Sequence, residues 1–314
     1  MAAVSLRAPL TYGDRAALTS SEMAKGYFTR AEMQKTNLIV ALDVKEASSD
    51  VMTQQMWDIA SKTTEHVLGF KIHMTRIPLF DLSSAERSRD NFAKHLSLMQ
   101  ALQRLGSDRG VRILADEKYA DGGETTRVKY LGGYEFYKWA DVTIQATPGA
   151  DQIKGLRSVS QEHRTKQGGF LVTDMSFAGN LCSPDYRKVA FAMHKGIDTE
   201  GNAYDYSDFL GGVVTQYPIE DVHPDYPGIP NPMRFHATPG VQEKPGRDKL
   251  GQIFNTPEHV IETLLSDGMI VGRGVAFAPD PIVAAKIFQK LGMDAYNNRQ
   301  ECQRVAYEQA ASKL

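Results

Sequence analysis

The sequence predicts an α/β fold, a (β/α)8 TIM barrel with a helical extension before its first strand. Eight short apolar runs recur along the 314 residues, and runs of this length suit parallel strands that are buried on both faces. The segments between the runs carry apolar residues at helical spacing. Charged or hydroxyl side chains end several of the runs, and barrel proteins hold their functional groups at these strand ends.

The predicted strands follow one another at regular intervals. They are residues 37–44, 67–73, 111–115, 140–146, 169–175, 209–216, 234–238 and 268–272, of which the seventh is the weakest. An open, doubly wound sheet is the alternative, but its first strand usually leads into a glycine-rich phosphate turn. Here that turn is Asp43-Val44-Lys45-Glu46, which has no glycine, so the barrel is favoured.

The segments outside the strands divide into helices and one long loop. Residues 89–105 and 256–266 have clear helical patterns. Residues 1–35 precede the first strand, and we expect them to form one or two helices packed on the barrel. Residues 217–232 hold five prolines and predict a long ordered loop. We therefore expect the whole chain, residues 1–314, to form a single barrel domain.

Charge and cysteine content narrow the classes of function. The formal net charge is −2 and the basic residues are scattered, so no footprint for nucleic acid or an anionic membrane is visible. Cys182 and Cys302 lie in no CxxC pair, which predicts free thiols in a reducing compartment. The first 15 residues lack the apolar core of a signal peptide, and no apolar run reaches 18 residues. We expect a cytoplasmic protein.

The most informative segment is Asp116-Glu117-Lys118-Tyr119-Ala120-Asp121, which directly follows the third predicted strand. It brings charges of alternating sign to a strand end, where crowding perturbs pKa values and creates a strong local field. A solvated turn that caps the next helix is the other interpretation. On this segment alone the two interpretations are equally good, so the remaining strand ends must decide.

Several of those strands also end in polar groups. These groups are Asp43, Lys71 with His73, Ser176, Thr238-Pro239-Gly240, and Gly272-Arg273-Gly274. Each has a structural explanation when taken singly, such as a helix cap, a surface lysine or a buried histidine. In a barrel, however, all of them lie on one face, which favours a functional site.

Gly272-Arg273-Gly274 after the eighth strand suggests a phosphate site. Barrels often bind phosphate with the loops after strands seven and eight. Glycines let backbone N–H groups approach an anion, and arginine can bind phosphate with two nitrogens. A plain turn with an exposed arginine is the alternative, and the barrel context favours phosphate.

Taken together, these motifs resemble the orotidine 5′-phosphate decarboxylase family, in its eukaryotic form. The matching motifs are Leu42-Asp43-Val44, Lys71-Ile72-His73, Asp116-x-Lys118-x-x-Asp121, Met175-Ser176, Thr238-Pro239-Gly240-Val241 with Leu250-Gly251-Gln252, and Ile270-Val271-Gly272-Arg273-Gly274. They occur in family order from about residue 30 to residue 297. Asp-x-Lys-x-x-Asp alone is shared with sister barrels, whereas its combination with the last two motifs is specific.

The resemblance implies decarboxylation of orotidine 5′-monophosphate to UMP in pyrimidine biosynthesis, with no cofactor and no metal. Lys118 would protonate carbon 6 of the pyrimidine, and Asp116 would lie near the substrate carboxylate. Lys71 would complete an alternating charge array with them. Asp121 and Thr125 would reach the site of a second subunit, which implies a homodimer with shared active sites.

The resemblance also implies a set of nucleotide-binding residues and a mobile loop. The binding residues would be Asp43, Lys71, His73, Thr125, Ser176, Gln252, Gly272 and Arg273. Residues 241–251, with Pro245 and Gly246 among charged residues, would be the loop that closes on the phosphate.

Three departures from the family pattern concern the substrate. Gly122-Gly123-Glu124 replaces a bulky aliphatic residue and its neighbours, Phe254 replaces a tyrosine that touches phosphate, and the loop at 217–232 is longer than expected. The first departure leans towards the magnesium-dependent sister enzymes, 3-keto-6-phosphogluconate decarboxylases and hexulose-phosphate synthases. Those enzymes have an acidic residue where this chain has Lys71, which argues against a metal site. Two more interpretations stay open: a modified pyrimidine nucleotide as substrate, and a barrel that binds nucleotide without turnover.

Overall fold

Eight parallel strands close into a barrel in the computed structural model, which describes residues 8–45, 47–73, 83–133, 138–198, 200–217 and 233–312. The strands in chain order are β1 (Leu38–Ala41), β2 (Gly69–Ile72), β3 (Arg112–Tyr119), β4 (Asp141–Gln145), β5 (Gly169–Val172), β6 (Leu210–Val214), β7 (Phe235–Pro239), β8 (Gly246–Arg247), β9 (Ile253–Phe254) and β10 (Gly268–Val271). The barrel order is β1-β2-β3-β4-β5-β6-β7-β10, and β8 and β9 form a separate antiparallel pair. The predicted fold class is confirmed, and the open-sheet alternative is wrong.

The observed strands differ in length from the predicted ones. Seven of the eight lie within the predicted runs or extend one residue beyond, and each is four or five residues long. The third differs, because β3 continues through Asp116 and Lys118 to Tyr119. Residues 116–119 of the charged segment are therefore part of the strand, whereas the sequence pattern predicted that the whole segment follows the strand.

Helices follow most of the barrel strands. They are α1 (Tyr12–Leu18), α2 (Glu22–Gln34), α3 (Ser49–Thr63), α4 (Ala85–Arg109), α5 (Gly123–Gly132), α6 (Ala150–Glu162), α7 (Pro184–Lys195), α8 (Arg273–Ala276) and α9 (Pro281–Ala311). The helix predicted at 89–105 lies within α4. The one predicted at 256–266 is shorter and ends in a π-turn, His259–Thr263, in which the Leu264 N–H donates to the His259 carbonyl. Leu265 has a left-handed backbone (φ 56°), which ends the turn.

The two N-terminal helices close the lower end of the barrel. The rings of Tyr27 and Phe28 on α2 pack against Phe235 on β7, with centroids 4.8 and 5.3 Å away. Arg15 on α1 donates to both carboxylate oxygens of Asp267, which precedes β10. The predicted helical extension is thus confirmed as part of the fold. That residues 1–314 make one domain stays a prediction, since residues 1–7 lie outside the described part.

The last helix, α9, packs beside this extension. The ring of Tyr296 stacks on Tyr12 with centroids 4.2 Å apart, and its hydroxyl accepts the Tyr12 N–H at 3.2 Å. Asn37 donates to the Gly292 carbonyl at 2.9 Å, where α9 passes close to the start of β1. The first and last helices of the described chain are therefore joined at one end of the barrel.

Three further predictions concern the proline-rich segment, the two cysteines and membrane-spanning helices. The proline-rich segment predicted at 217–232 lies, apart from Tyr217, outside the described residues. Cys182 and Cys302 both lie in the described part, and both thiols are free, as predicted. Among the described helices, none is both long and apolar enough to cross a membrane.

Candidate active site

A cavity of about 640 Å³ opens at the carboxyl ends of the barrel strands. Its floor is apolar and consists of residues that alternate inward on the strands, such as Ala41, Leu114 and Val172. The cavity wall contains nine of the eleven predicted site residues: Asp43, Lys71, His73, Asp116, Lys118, Ser176, Gln252, Gly272 and Arg273. The barrel thus brings together side chains that are up to 230 residues apart in the chain, from Asp43 to Arg273.

Asp116 and Lys118 enter the cavity from a bulge in β3. Ala115 pairs with Val142 and Tyr119 pairs with Ile144, so three residues of β3 lie opposite one residue of β4. Lys118 has a left-handed backbone there, with φ 49°. Left-handed backbone costs a non-glycine residue roughly 1–2 kcal/mol, and such strain is concentrated at functional sites.

Four side chains form an alternating charge array across β1, β2 and β3. The ammonium of Lys71 lies 3.6 Å from Asp43 Oδ2 and 3.1 Å from Asp116 Oδ2. The ammonium of Lys118 lies 2.7 Å from Asp116 Oδ1. Burial would raise the pKa of Asp116, but the charges of Lys71 and Lys118 outweigh it and hold that pKa well below its usual range. Asp116 is therefore ionised at every physiological pH.

His73 is neutral and has a defined proton position. Its Nδ1 lies 3.0 Å from the Asp116 carbonyl oxygen and its Nε2 lies 2.7 Å from Lys71 Nζ. Since a carbonyl accepts and an ammonium donates, the ring carries its proton on Nδ1 and accepts at Nε2. Burial and the adjacent Lys71 charge lower the pKa of His73, which keeps the ring neutral at pH 7.

Asp43 presents one free acceptor to the cavity. Its Oδ1 is buried and has no hydrogen-bond partner within the described residues. A buried carboxylate oxygen without a donor is costly, so a ligand hydroxyl at this position would satisfy it.

One end of the cavity holds Arg273 beside two residues from the loop that follows β7. Its guanidinium donates to Asp248 at 2.6 Å, and its central carbon lies 5.1 Å from the centre of the Phe254 ring. Gln252 and Gly272 also line this end. The hydroxyl that a tyrosine would place here is absent, and a cation–π contact with Phe254 orients the arginine instead.

The loop predicted at 241–251 is a short hairpin that covers part of the cavity. Its strand β8 pairs with β9, which directly follows the loop, and the Gly251 carbonyl accepts the Ala178 N–H at 3.0 Å. The Ile253 N–H likewise donates to the Ser176 carbonyl at 2.8 Å. The segment after β7 and the segment after β5 are thereby joined above the cavity. That residues 241–251 move stays a prediction.

Asp121 and Thr125 do not line the cavity of their own chain. Asp121 is half-exposed and pairs with Lys129 at 2.6 Å, and Thr125 is exposed on α5. Glu124 does not line the cavity either, and its carboxylate is 80% exposed and lies 4.0 Å from Arg127.

The neighbouring Gly123 has a packing role. A Cβ there would lie 2.6 Å from the Asp151 carbonyl, so glycine is required where α5 meets α6. The Gly122-Gly123-Glu124 departure therefore places no carboxylate in the cavity of this chain.

Sequence reasoning missed four polar residues of the cavity wall: Thr143, Asp174, Gln242 and Asp248. Asp174 is buried directly after β5, where it accepts the Met175 N–H at 2.7 Å and lies 3.4 Å from Arg187. The strand-end rule could have found it, but the fifth predicted strand was extended past it. Thr143 lay inside a predicted strand, and Gln242 and Asp248 lay inside a loop, so none of these three gave a signal.

Relatives with named activities match most of the chain. A uridine 5′-monophosphate synthase from Bos taurus is 30% identical over 294 residues, which are 92% of this chain and 53% of the relative. This chain therefore spans about half the length of that protein. An orotidine 5′-phosphate decarboxylase from Saccharomycopsis fibuligera is 30% identical over 293 residues, which are 92% of this chain and 98% of the relative.

Solved structures share the fold. The OMP decarboxylase of Leishmania donovani superposes with a TM-score of 0.55 at 14% identity, over 91% of this chain and 99% of that one. The orotidine 5′-monophosphate decarboxylase of Methanocaldococcus jannaschii, solved in complex with the inhibitor BMP, gives a TM-score of 0.52 at 17% identity, over 82% of this chain and 98% of that one. The family model for orotidine 5′-phosphate decarboxylase / HUMPS matches residues 36–288. The resemblance inferred from the motifs is confirmed, and the chain belongs to the orotidine 5′-phosphate decarboxylase / HUMPS family.

Proposed function

We propose that this chain is an orotidine 5′-phosphate decarboxylase, which converts orotidine 5′-monophosphate to UMP and carbon dioxide in pyrimidine biosynthesis. The observation that carries the proposal is the array Asp43, Lys71, Asp116 and Lys118, in which carboxylates and ammonium groups alternate at the cavity wall. The family and the near-full-length decarboxylase relative support the same reaction.

The cavity offers a place for each part of the nucleotide. Its volume of about 640 Å³ is within the usual range of small-molecule sites. The phosphate binds at Arg273, with Gln252 and Gly272 beside it. The ribose hydroxyls bind Asp43, whose Oδ1 has no other partner in the described chain, with Lys71 and His73 on the same side.

The pyrimidine lies between Lys118 and the Ser176 segment, which both line the cavity. This order places the substrate carboxylate against the carboxylate of Asp116. Phosphate binding is remote from the reacting carbon, and its binding energy can serve to close the 241–251 hairpin over the site.

Fixed charges carry the chemical step. Asp116 is held ionised by its two lysines, so it repels the substrate carboxylate but not the product, which lacks that group. The bond between carbon 6 and the carboxylate breaks, carbon dioxide leaves, and the electron pair stays on carbon 6. The ammonium of Lys118 stabilises this carbanion without reorganising and then gives it a proton. The neutral amine regains a proton from solvent.

The active form is a homodimer in which Asp121 and Thr125 are contributed to the partner's site. Both residues follow Lys118 closely in the chain, Asp121 is partly exposed and Thr125 is exposed, and neither lines the cavity of its own chain. The cytoplasm is the proposed location, because the two free cysteines suit a reducing compartment.

The magnesium-dependent reaction of the sister group fits the site poorly. The carboxylates of Asp43 and Asp116 are the acidic pair that a divalent cation would need. The ammonium of Lys71 lies between them, 3.6 Å from Asp43 and 3.1 Å from Asp116. A positively charged side chain therefore occupies the position that a metal ion would need.

A direct assay separates the three functions. Purified protein is incubated with orotidine 5′-monophosphate and excess chelator, and the loss of substrate absorbance and the formation of UMP are followed, with Lys118→Ala as the control. Turnover by the native chain alone supports the proposal, and no turnover contradicts it. Turnover of a keto-sugar phosphate only with magnesium would establish the sister reaction, and UMP binding without turnover would establish a binding protein.

A further inference from the structure

The hydroxyl of Thr143 joins the backbone of Lys118 to the side chain of Asp116. Thr143 lies in the middle of β4 and is 2% exposed. Its Oγ1 accepts the Lys118 N–H at 2.8 Å and lies 2.8 Å from Asp116 Oδ1. No other described side chain is hydrogen-bonded to both partners.

The direction of both hydrogen bonds is fixed by chemistry. A backbone N–H can only donate and an ionised carboxylate can only accept, so the Thr143 hydroxyl accepts from Lys118 and donates to Asp116. Asp116 Oδ1 then accepts hydrogen bonds from the Thr143 hydroxyl and the Lys118 ammonium, while Oδ2 accepts one from the Lys71 ammonium. These three hydrogen bonds restrain the rotation of the Asp116 carboxylate.

The same hydroxyl supports an unfavourable backbone. Lys118 lies in the β3 bulge with φ 49°, where its N–H bonds to the Thr143 side chain and not to the backbone of β4. Thr143 is the one residue of β4 that faces the bulge between the pairs Ala115–Val142 and Tyr119–Ile144. An apolar side chain of the same shape would leave a buried N–H without a partner.

We infer that Thr143 is a positioning residue, which holds the Lys118 ammonium and the Asp116 carboxylate in the geometry needed for proton transfer. The inference rests on the proposed decarboxylase function. The side chain of Lys118 is fixed at both ends, because Thr143 holds its backbone and also orients the carboxylate that its ammonium contacts. A displacement of about 1 Å at such a group can cost about 100-fold in rate.

Two substitutions separate this role from plain packing. Thr143→Val keeps the shape and removes the hydroxyl, whereas Thr143→Ser keeps the hydroxyl and removes a methyl group. We expect kcat to fall roughly 10- to 100-fold in the valine variant and to stay within about threefold of native in the serine variant. The dissociation constant for UMP should change less than about threefold in both, since Thr143 is not at the phosphate end.

Thr173→Val provides a matched control. Thr173 directly follows β5 and is also buried, and its hydroxyl donates to the Val214 carbonyl at 3.2 Å, outside the charge array. This variant loses the same chemical group, so its stability should fall as in Thr143→Val while kcat stays near native. Equal losses of kcat in Thr143→Val and Thr173→Val, or in Thr143→Val and Thr143→Ser, would overturn the inference.

A crystal structure of the valine variant tests the geometry without any assay. We expect the Lys118 ammonium to move from Asp116 by more than about 0.5 Å, or the Lys118 backbone to leave its left-handed conformation. An unchanged Lys118 would overturn the inference even if kcat fell. If the native protein showed no decarboxylation, the proposed function would fail, and this structural comparison would still decide what Thr143 does.

Discussion

The guanidinium of Arg273 lies 2.6 Å from the carboxylate of Asp248. The two residues come from different segments, since Arg273 follows β10 and Asp248 lies in the turn between β8 and β9. The other oxygen of Asp248 accepts the N–H groups of Leu250 and Gln252 at 2.9 Å. A phosphate that binds Arg273 must therefore compete with an acid of the hairpin.

Removing this acid should strengthen nucleotide binding. Asp248→Asn keeps the acceptor for the turn and removes the negative charge, so we expect UMP to bind roughly two- to fivefold more tightly at low salt. Isothermal titration calorimetry measures the effect. Asp280→Asn is the control, because Asp280 also accepts backbone N–H groups, those of Ile282 and Val283, at an exposed turn. Weaker binding by Asp248→Asn would show that Asp248 assists the phosphate site.

Lys118→Ala should abolish turnover and leave the fold intact. The variant loses the proposed proton donor and the charge that stabilises the carbanion, and these effects together predict a loss of at least about 10³-fold in kcat. Asp116 keeps Lys71 as a partner at 3.1 Å, so it is not left as a lone buried charge. Stopped assays measure kcat, and circular dichroism on the same sample tests whether the variant is folded. Near-native kcat in a folded variant would refute the role of Lys118.

Hybrid dimers test whether Asp121 is shared. Lys118→Ala and Asp121→Ala should each be inactive alone. If Asp121 completes the partner's site, a mixed dimer contains one intact site and one site with both defects, so an equal mixture should recover up to about a quarter of native activity. No recovery, with subunit exchange demonstrated by mass spectrometry of differently labelled chains, would contradict a shared site.

The ion pair below the barrel should be important for stability. Arg15 and Asp267 are both at least 96% buried, and removing one partner of a buried pair typically costs about 3–5 kcal/mol. We expect a loss of this size in the free energy of unfolding of Arg15→Ala, measured with urea. Arg304→Ala is the control, since Arg304 bonds Glu301 and Glu308 on the exposed face of α9 and should change stability little. Similar losses in the two variants would contradict a structural role for Arg15.

Buried histidines should make the protein less stable in mild acid. Burial lowers the pKa of His236 to about 3 and the pKa of His95 to about 4, whereas an unfolded histidine has a pKa of about 6.5. As the pH falls from about 6.5 towards 4, the unfolded chain therefore binds protons that the folded chain does not. Each histidine contributes a loss of about 1.4 kcal/mol per pH unit in this window.

Unfolding in urea at pH 6 and pH 5 measures this slope. Raised carboxyl pKa values, such as that of the buried Asp174, act in the opposite direction, so the comparison uses His236→Phe beside the native chain. The slope should be smaller in the variant by about 1.4 kcal/mol per pH unit. Identical slopes would show that His236 is charged in the folded state.

The barrel and most of the cavity wall could be predicted because they depend on local patterns. All barrel strands except β3 are short and mostly apolar, and Asp43, Lys71 and Arg273 lie where such runs end. Residues that act through contacts between strands have no such local pattern in the sequence. Thr143 is an ordinary strand residue until the bulge in β3 is known, and the bulge follows from pairing with β4.

Other differences arose from tertiary packing. The third strand continues through the charged segment, because Asp116 and Lys118 are stabilised by neighbours on β2 and β4 that are distant in sequence. Glu124 follows the Asp-x-Lys-x-x-Asp motif closely in the sequence, but α5 directs it to solvent, since Gly123 must pack against α6. Sequence spacing carries no information on either contact.

The contacts of Tyr12 with Tyr296 and of Arg15 with Asp267 join segments more than 250 residues apart in the chain. Such long-range contacts form slowly, because a very long loop must close before they stabilise anything. During synthesis, α1, which carries Tyr12 and Arg15, leaves the ribosome long before Asp267 and Tyr296 are made. The contacts of α1 therefore form only after residues 267–296 have been made, and a chain that stops before α9 leaves the Tyr12 face of α1 uncovered and is the form most prone to aggregate.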